Sequence, residues 1–153
     1  MNIVMAEDKD FASWLHLAEE IEGLFGPMVS DKSFKEALRR VITDKQAFCI
    51  RVNNGKAGSK LIGGIIISFE ENEIMWFSVA SQYRNQGVGQ KLIAHAMNHL
   101  DKARPVTVST FDKTVIEGIP ARKLYLKNGF TDMESRGVNP AGIPIVLMIK
   151  KPV

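Results

Sequence analysis

The chain has 153 residues, 45% hydrophobic and 24% charged, the make-up of one globular domain large enough to bury a core. Its 20 Lys plus Arg against 17 Asp plus Glu leave a net charge of +3, too small a surplus to argue for nucleic acid but suited to a small anionic ligand. The one cysteine, Cys49, excludes an internal disulfide or a thiolate cluster, the N-terminal MNIVMAEDKD is too short an apolar run for a signal peptide, and nothing approaches the ~18 apolar residues of a membrane span. A single domain over residues 1–153 is expected, in the cytoplasm, with no nucleic-acid and no membrane partner.

Met1–Met5 reads as a first strand. Asp8 or Asp10 is placed to cap a helix over Phe11–Glu22, with Phe11, Leu15 and Ala18, joined by Trp14 and Ile21, on its buried face. Gly23, Gly26 and Pro27 break that pattern. Ser30 or Asp31 then opens a second helix over Ser33–Ile42, where Phe34, Ala37, Leu38 and Val41 form a stripe. Gln46–Val52 and Lys60–Glu70 are strand-like and joined by NNGKAGS, which makes a hairpin. Gly63 and Gly64 inside the second strand mark a bulge or a close ligand approach. After a turn at Glu70–Asn72, Glu73–Ala80 is another strand. A helix from Gly89 buries Val88, Leu92, Ile93, Ala96, Met97 and Leu100. Pro105–Phe111 is a strand, and a short helix follows with Pro120 in its first turn and Gly129 past its end. Phe130–Ser135 and Ile143–Lys150 are the last two strands.

The order β α α β β β α β α β β mixes antiparallel hairpins with strand–helix–strand units. The fold class is therefore α/β (α+β): a mixed, mainly antiparallel central sheet of about seven strands flanked by about four helices.

The most telling stretch is Met75–Leu92, MWFSVASQYRNQGVGQKL. A strand ends in a polar turn carrying Arg84, Asn85, Gln86, Gly87, Val88 and Gly89, and a helix starts at once. Glycines at such a turn let the backbone approach a large group, and the first helical turn offers unpaired N–H donors and the positive end of the dipole. Arg84 adds a fork-shaped cation. Gln86, Gln90 and Lys91 lie near the same point, so the stretch reads as a pyrophosphate site. Leu92 stands where a dinucleotide fingerprint needs its third glycine, and no G-x-x-x-x-G-K-[ST] run occurs.

What remains, R-x-x-G-x-G over Arg84, Gly87 and Gly89, resembles the acyl-coenzyme A pyrophosphate loop of the GNAT superfamily of N-acetyltransferases. A second segment, ARKLYLKNGF over Ala121–Phe130, resembles that family's A-x-x-L-Y-x-x-x-G-F pattern through Ala121, Leu124, Tyr125, Gly129 and Phe130. The resemblance implies a GNAT-like acyl-CoA N-acyltransferase fold, with acetyl-CoA as cosubstrate and no metal. It implies that the strand Glu73–Ala80 splays from Pro105–Phe111, and that Phe77, Ser78 and Val79 pair with the pantetheine arm as an added strand would. Two positions depart from the pattern: Gly118 replaces a frequent asparagine, and Ser81 a frequent proline.

Acyl transfer to an amine needs a neutral amine, an oxyanion donor and a stabilised thiolate. By resemblance, the Tyr125 hydroxyl points at the coenzyme A sulfur. A phenol near ~10 lies above a thiol near ~8.5, so a hydrogen bond that strengthens as charge builds suits it better than full proton transfer. The backbone N–H of Val79 or a close neighbour is the expected oxyanion donor. Glu73 is the candidate base, with a base acting through water, an amine arriving neutral, or a histidine (His16, His95, His99) as alternatives. His95 and His99 are expected on the exposed side of their helix. Trp14, Phe25, Met28, Phe34, Trp76 and Met133 could line an acceptor pocket or pack the core. Neither motif holds a cysteine, which favours direct attack in a ternary complex over an acyl-enzyme. The expected function is acetyl transfer to a primary amine on a small molecule or peptide, the alternative a catalytically silent acetyl-CoA-binding sensor or scaffold. The expected state is a monomer or a homodimer.

Overall fold

A computed structural model describes residues 1–153. Its strands are β1 (Ile3–Met5), β2 (Ala47–Arg51), β3 (Leu61–Ser68), β4 (Glu73–Val79), β5 (Val106–Phe111), β6 (Thr131–Val138) and β7 (Pro144–Lys150). The helices are α1 (Phe11–Glu19), α2 (Glu22–Phe25), α3 (Lys32–Thr43), α4 (Val88–His99) and α5 (Ile119–Lys127). One sheet of 7 strands runs β1-β2-β3-β4-β5-β7-β6. Every neighbouring pair is antiparallel except β4 with β5. The mixed, mainly antiparallel sheet of the sequence reading is thus present, with one more helix. The first helix stops at Glu19, and where Gly23 and Gly26 suggested only a break, the one-turn α2 forms and ends at Gly26 with φ +102°.

Two apolar layers hold the sheet. Leu92, Ile93 and Ala96 of α4 and Tyr125 of α5 pack on one face with Ile65, Ile67, Val108 and Met148. Trp14 and Leu17 of α1 and Leu38 and Ile42 of α3 pack on the other with Cys49 and Ile66. β2 and most of β3 are therefore buried on both faces, which is why they read as continuous apolar runs rather than alternating ones. Gly63 and Gly64 serve this double packing. A Cβ at Gly63 would lie 3.0 Å from Leu92 Cδ1, and one at Gly64 2.6 Å from the Trp14 ring. They are close-approach glycines, but what approaches is a helix on each face, and the pairing shift on this strand falls beside Ile62 instead.

Asp31 caps α3 by accepting from the Ser33 amide at 3.0 Å. Asp10, at the corresponding position of α1, turns inward instead. Fully buried, it accepts from Arg51 Nε at 3.0 Å, Arg51 Nη2 at 2.7 Å, the Gly58 amide at 3.0 Å and the Glu7 amide at 2.8 Å. Its carboxyl lies below the usual range: these bonds outweigh the desolvation that acts the other way.

The feature that positions the site is the junction of β4 with β5. These strands pair only at Glu73 with Thr107 and Ile74 with Val108, and then diverge. Asn72 pins the closed end: its side-chain amide donates to the carbonyls of Asp101 at 2.9 Å and Pro105 at 3.0 Å, and its Oδ1 accepts from the Asp101 amide at 2.8 Å. Immediately beyond, Met75 is an extra residue against β3, since Ile66 faces Trp76 and Ile67 faces Ile74. This bulge shifts the strand's alternation by one. Ile74 and Phe77 consequently both face the α4–α5 layer, while Trp76 faces the α1–α3 layer.

Candidate active site

The open edge of β4 follows from its hydrogen-bond parity. Ala80 donates to the Ile62 carbonyl at 2.7 Å, which makes Gly63–Val79 a non-hydrogen-bonded pair with β3. By alternation, the N–H and C=O groups of Phe77 and Val79 point away from β3, into the gap left by β5. Those of Ser78 point to β3, and its side chain is buried. Arg84 Nε donates to the Val79 carbonyl at 3.3 Å and folds the loop back over the strand end. Glu20 anchors the same loop by accepting from the Ser81 amide at 3.0 Å.

From Asn85 to Gln90 the backbone amides have no hydrogen-bond partner in the chain, and α4 has no side-chain cap. Asn85 (φ +61°) and Gly87 (φ +80°) turn the backbone so that this run of donors forms the start of the helix. The arrangement suits a multiply charged anion such as a pyrophosphate. The two loop glycines have different reasons. Gly87 has open space where a Cβ would sit and is required for its left-handed conformation, whereas at Gly89 a Cβ would lie 2.7 Å from Leu124 Cδ1 and 3.1 Å from Phe77 Cζ. Gly89 lets α4, α5 and β4 converge. Val88, beside it, is buried in the core.

Tyr125 comes to the same place from α5. It is buried, edge-on to Phe77 at a centroid distance of 6.1 Å and to Phe130 at 5.7 Å. Its hydroxyl bonds to no group of the chain, yet the only sealed polar side-chain atoms without partners are Trp14 Nε1 and His95 Nε2. The hydroxyl is therefore not completely sealed. Burial pushes its pKa well above the ordinary phenol value, so it stays protonated and donates. Asn128 fixes α5 against α4: it donates to Gln90 Oε1 at 2.9 Å and to the Leu124 carbonyl at 2.7 Å, and Gln90 Nε2 returns a bond at 3.3 Å.

Phe77, Val79, Tyr125 and the Arg84–Gly89 loop thus converge on one gap. Three other residues singled out in the sequence are engaged elsewhere or stand apart. The Gln90 side chain is committed to Asn128, leaving its amide as the free group. Lys91 Nζ bonds to the Met1 carbonyl. Glu73 sits at the closed end of the splay, six residues before Val79 and so roughly 20 Å along the strand. It is half-buried, and desolvation, with the Glu71 charge adding, raises its carboxyl pKa against a smaller pull from Arg136.

On the α1–α3 face, the gap is bridged. Phe25 of α2 stacks on Phe111 of β5 at 4.8 Å, and Asn139 in the β6–β7 turn donates to the Leu24 carbonyl at 2.7 Å. Trp14 and Met28 are core residues, Trp76 is half-buried, and Phe25 and Met133 are exposed. Gly118 has a steric reason: a Cβ there would lie 2.6 Å from Phe111 Cβ, so the end of β5 leaves no room for a side chain. His95 is not on an exposed face; it stands edge-on to Phe48 at 4.7 Å and tilted against His99 at 4.4 Å. Cys49 is buried, and desolvation pushes its thiol up to about 12, which leaves no nucleophile there. No helix is long and apolar enough to cross a membrane.

A family model described as an acetyltransferase (GNAT) domain matches residues 17–152. The chain belongs to the GNAT acetyltransferases. No curated protein matches it by sequence. Among solved structures, this GNAT chain is similar to the PaiA N-acetyltransferase of Thermoplasma acidophilum, crystallised with coenzyme A, at 19% identity and a TM-score of 0.73 over 98% of each chain. It is similar to a ribosomal-protein-alanine N-acetyltransferase of Brucella melitensis at 15% identity and 0.74 over 99% of each chain. It also resembles a spermidine N-acetyltransferase of Vibrio cholerae at 17% identity and 0.66, over 99% of this chain and 95% of that one. At these identities the likeness carries the fold: the parting of β4 from β5 is part of a GNAT architecture, and this GNAT protein is an acyltransferase.

Proposed function

We propose that the protein transfers an acetyl group from acetyl-CoA to a primary amine by direct attack in a ternary complex. The observation that carries the reading is the juxtaposition of an open strand edge at Phe77 and Val79, a run of free amides from Asn85 to Gln90, and a protonated phenol between them. Coenzyme A fits these features in order. Its pyrophosphate meets the α4 amides and Arg84, its pantetheine arm lies along β4 as a strand would, and its sulfur reaches Tyr125.

Each group then has a task. The amide of Val79 or a neighbour stabilises the oxyanion as the amine adds to the thioester carbonyl. The Tyr125 hydroxyl donates to the departing sulfur, and its raised pKa makes this a hydrogen bond that strengthens rather than a completed proton transfer. Glu73 is the final acceptor of the amine's proton along a chain of several waters in the gap, since its distance along β4 precludes contact directly or through one water, and its raised pKa makes it a better base than an exposed carboxylate. A coenzyme A complex and acceptors as different as a ribosomal protein and spermidine among the similar structures support an amine acceptor, on a small molecule or a peptide.

Calorimetric titration with acetyl-CoA, followed by a panel of peptide N-termini, polyamines and amino acids with detection of free thiol, tests the proposal. Binding with amine-dependent thiol release is expected. Binding with no release from any acceptor would favour the silent module, and no binding at ~1 mM would end both readings.

A further inference from the structure

β6 is the long free edge of the sheet. β1, at the other end, pairs over only three residues, Ile3, Val4 and Met5. β6 spans Thr131–Val138 with every residue exposed. The unpaired N–H and C=O groups of such an edge are a template for another strand. We propose that the strand it takes is β6 of a second copy of this chain, in a two-fold antiparallel dimer centred on Ser135.

The charge pattern selects this partner and register. Glu134 and Arg136 flank Ser135, form an ion pair at 3.1 Å and are each about half exposed. With the axis through Ser135, Glu134 meets Arg136 of the partner subunit and Arg136 meets Glu134 of the partner subunit, so the same pair forms twice across the interface. Centring on Glu134 or on Arg136 instead puts two like charges on the axis. Asp132 falls opposite Val138 of the partner subunit, and Met133 opposite its Gly137, so no like charges meet.

Apolar surface flanks this centre. Met133, on the strand, is 57% exposed. On α5, Ile119, Arg122 and Leu126 share one stripe at i, i+3 and i+7. Arg122 is held toward β6 by a bidentate pair with Asp132 at 2.8 and 2.9 Å. Ile119 and Leu126, 39% and 50% exposed, therefore stand beside the same edge. The pairing shifts of β6 at Met133 and at Arg136–Gly137 bend the strand on either side of its centre. They confine the new ladder to a short stretch, so the α5 flanks contribute the rest. A two-fold pairing also consumes the β6 edge of both copies and closes that interface on itself.

Sedimentation velocity on the full chain, over roughly a 100-fold range of concentration, reads this out. Wild type is expected to dimerise. Glu134→Arg should weaken the dimer about 10-fold or more, and adding Arg136→Glu should restore it. Ser135→Lys, which places two cations on the axis, should also be monomeric, and its exposed site leaves folding intact by circular dichroism. A wild-type monomer at every concentration, a Glu134→Arg or Ser135→Lys dimer as tight as wild type, or failure of the charge swap to restore association would overturn the proposal.

Discussion

Asn139 donates its side-chain amide to the Leu24 carbonyl at 2.7 Å, tying the β6–β7 turn to α2 across the front of the splay. Its Oδ1 accepts from the amides of Ala141 at 2.9 Å and Ile143 at 3.1 Å, so one side chain both shapes the turn and fastens it. Asn139→Ala is expected to cost ~1 kcal/mol of stability and to raise the acceptor KM. Acetyl-CoA affinity, measured by calorimetry, should not move. A parallel loss of acetyl-CoA binding would show that the tie supports the whole gap rather than its acceptor side.

Tyr125→Phe removes only the hydroxyl and leaves the ring against Phe77 and Phe130. Turnover should fall by about 10-fold or more while the acetyl-CoA dissociation constant stays within about twofold, the pattern of a group used in the transition state. Unchanged turnover would exclude Tyr125 from the mechanism.

Glu73 gives a pH signature. Its carboxyl pKa is raised, so the base becomes protonated above the ordinary glutamate value of ~4.5 as pH falls. The acid limb of the kcat/KM profile should bend above that value and disappear in Glu73→Gln, with lower activity at neutral pH. An identical acid limb in the variant would assign the titration to another group or to the amine itself.

The two loop glycines should separate by readout. Gly89→Ala forces a methyl into Leu124 and Phe77 and should cost ~1–3 kcal/mol, seen as a lower unfolding midpoint in urea. Gly87→Ala meets no atom but must hold φ +80°, which costs ~1 kcal/mol and disturbs the amides aimed at the anion. Its larger effect should be on acetyl-CoA affinity. Equal effects of both changes on affinity would contradict the division of labour.

His95 should make the fold acid-sensitive. Its Nε2 is sealed without a partner, and desolvation, with the neighbouring His99 adding, lowers its pKa below the unfolded value of ~6.5. The unfolded chain then binds more protons than the folded one below that pH, so stability falls as pH drops through ~6.5. His95→Phe should flatten the dependence of the urea midpoint between about pH 5 and 7.5. A slope unchanged by the substitution would locate the acid sensitivity elsewhere.

Much of this was legible in the sequence because its signals are local. The Arg84–Gly89 turn, the Asp31 cap, Pro120 in the first turn of α5 and Gly129 beyond it (φ +93°) all depend on residues within a few positions of each other. The Met75 bulge is not local, since it exists only relative to the β3 register, and strict alternation along β4 would misplace Trp76 or Phe77. The bond from Asn139 to Leu24 joins residues 115 apart, and Asp10 finds Arg51 across 41. No periodicity announces such partners. Gly63 and Gly64 were visible as anomalies, but their cause, a helix on each face, required the assembled sheet.

The two-rung contact of β4 with β5 also bears on how the molecule moves. The β1–β4 meander and the β5–β7–β6 ladder share only the Glu73–Thr107 and Ile74–Val108 rungs, pinned by Asn72. Widening the far end of the gap breaks no sheet hydrogen bond; it strains the Phe25–Phe111 stack, the Asn139 tie and the Gln90–Asn128 pair. Opening about that pivot is therefore opposed by side-chain packing rather than by the sheet ladder, and anything that bonds to both sides of the gap damps it.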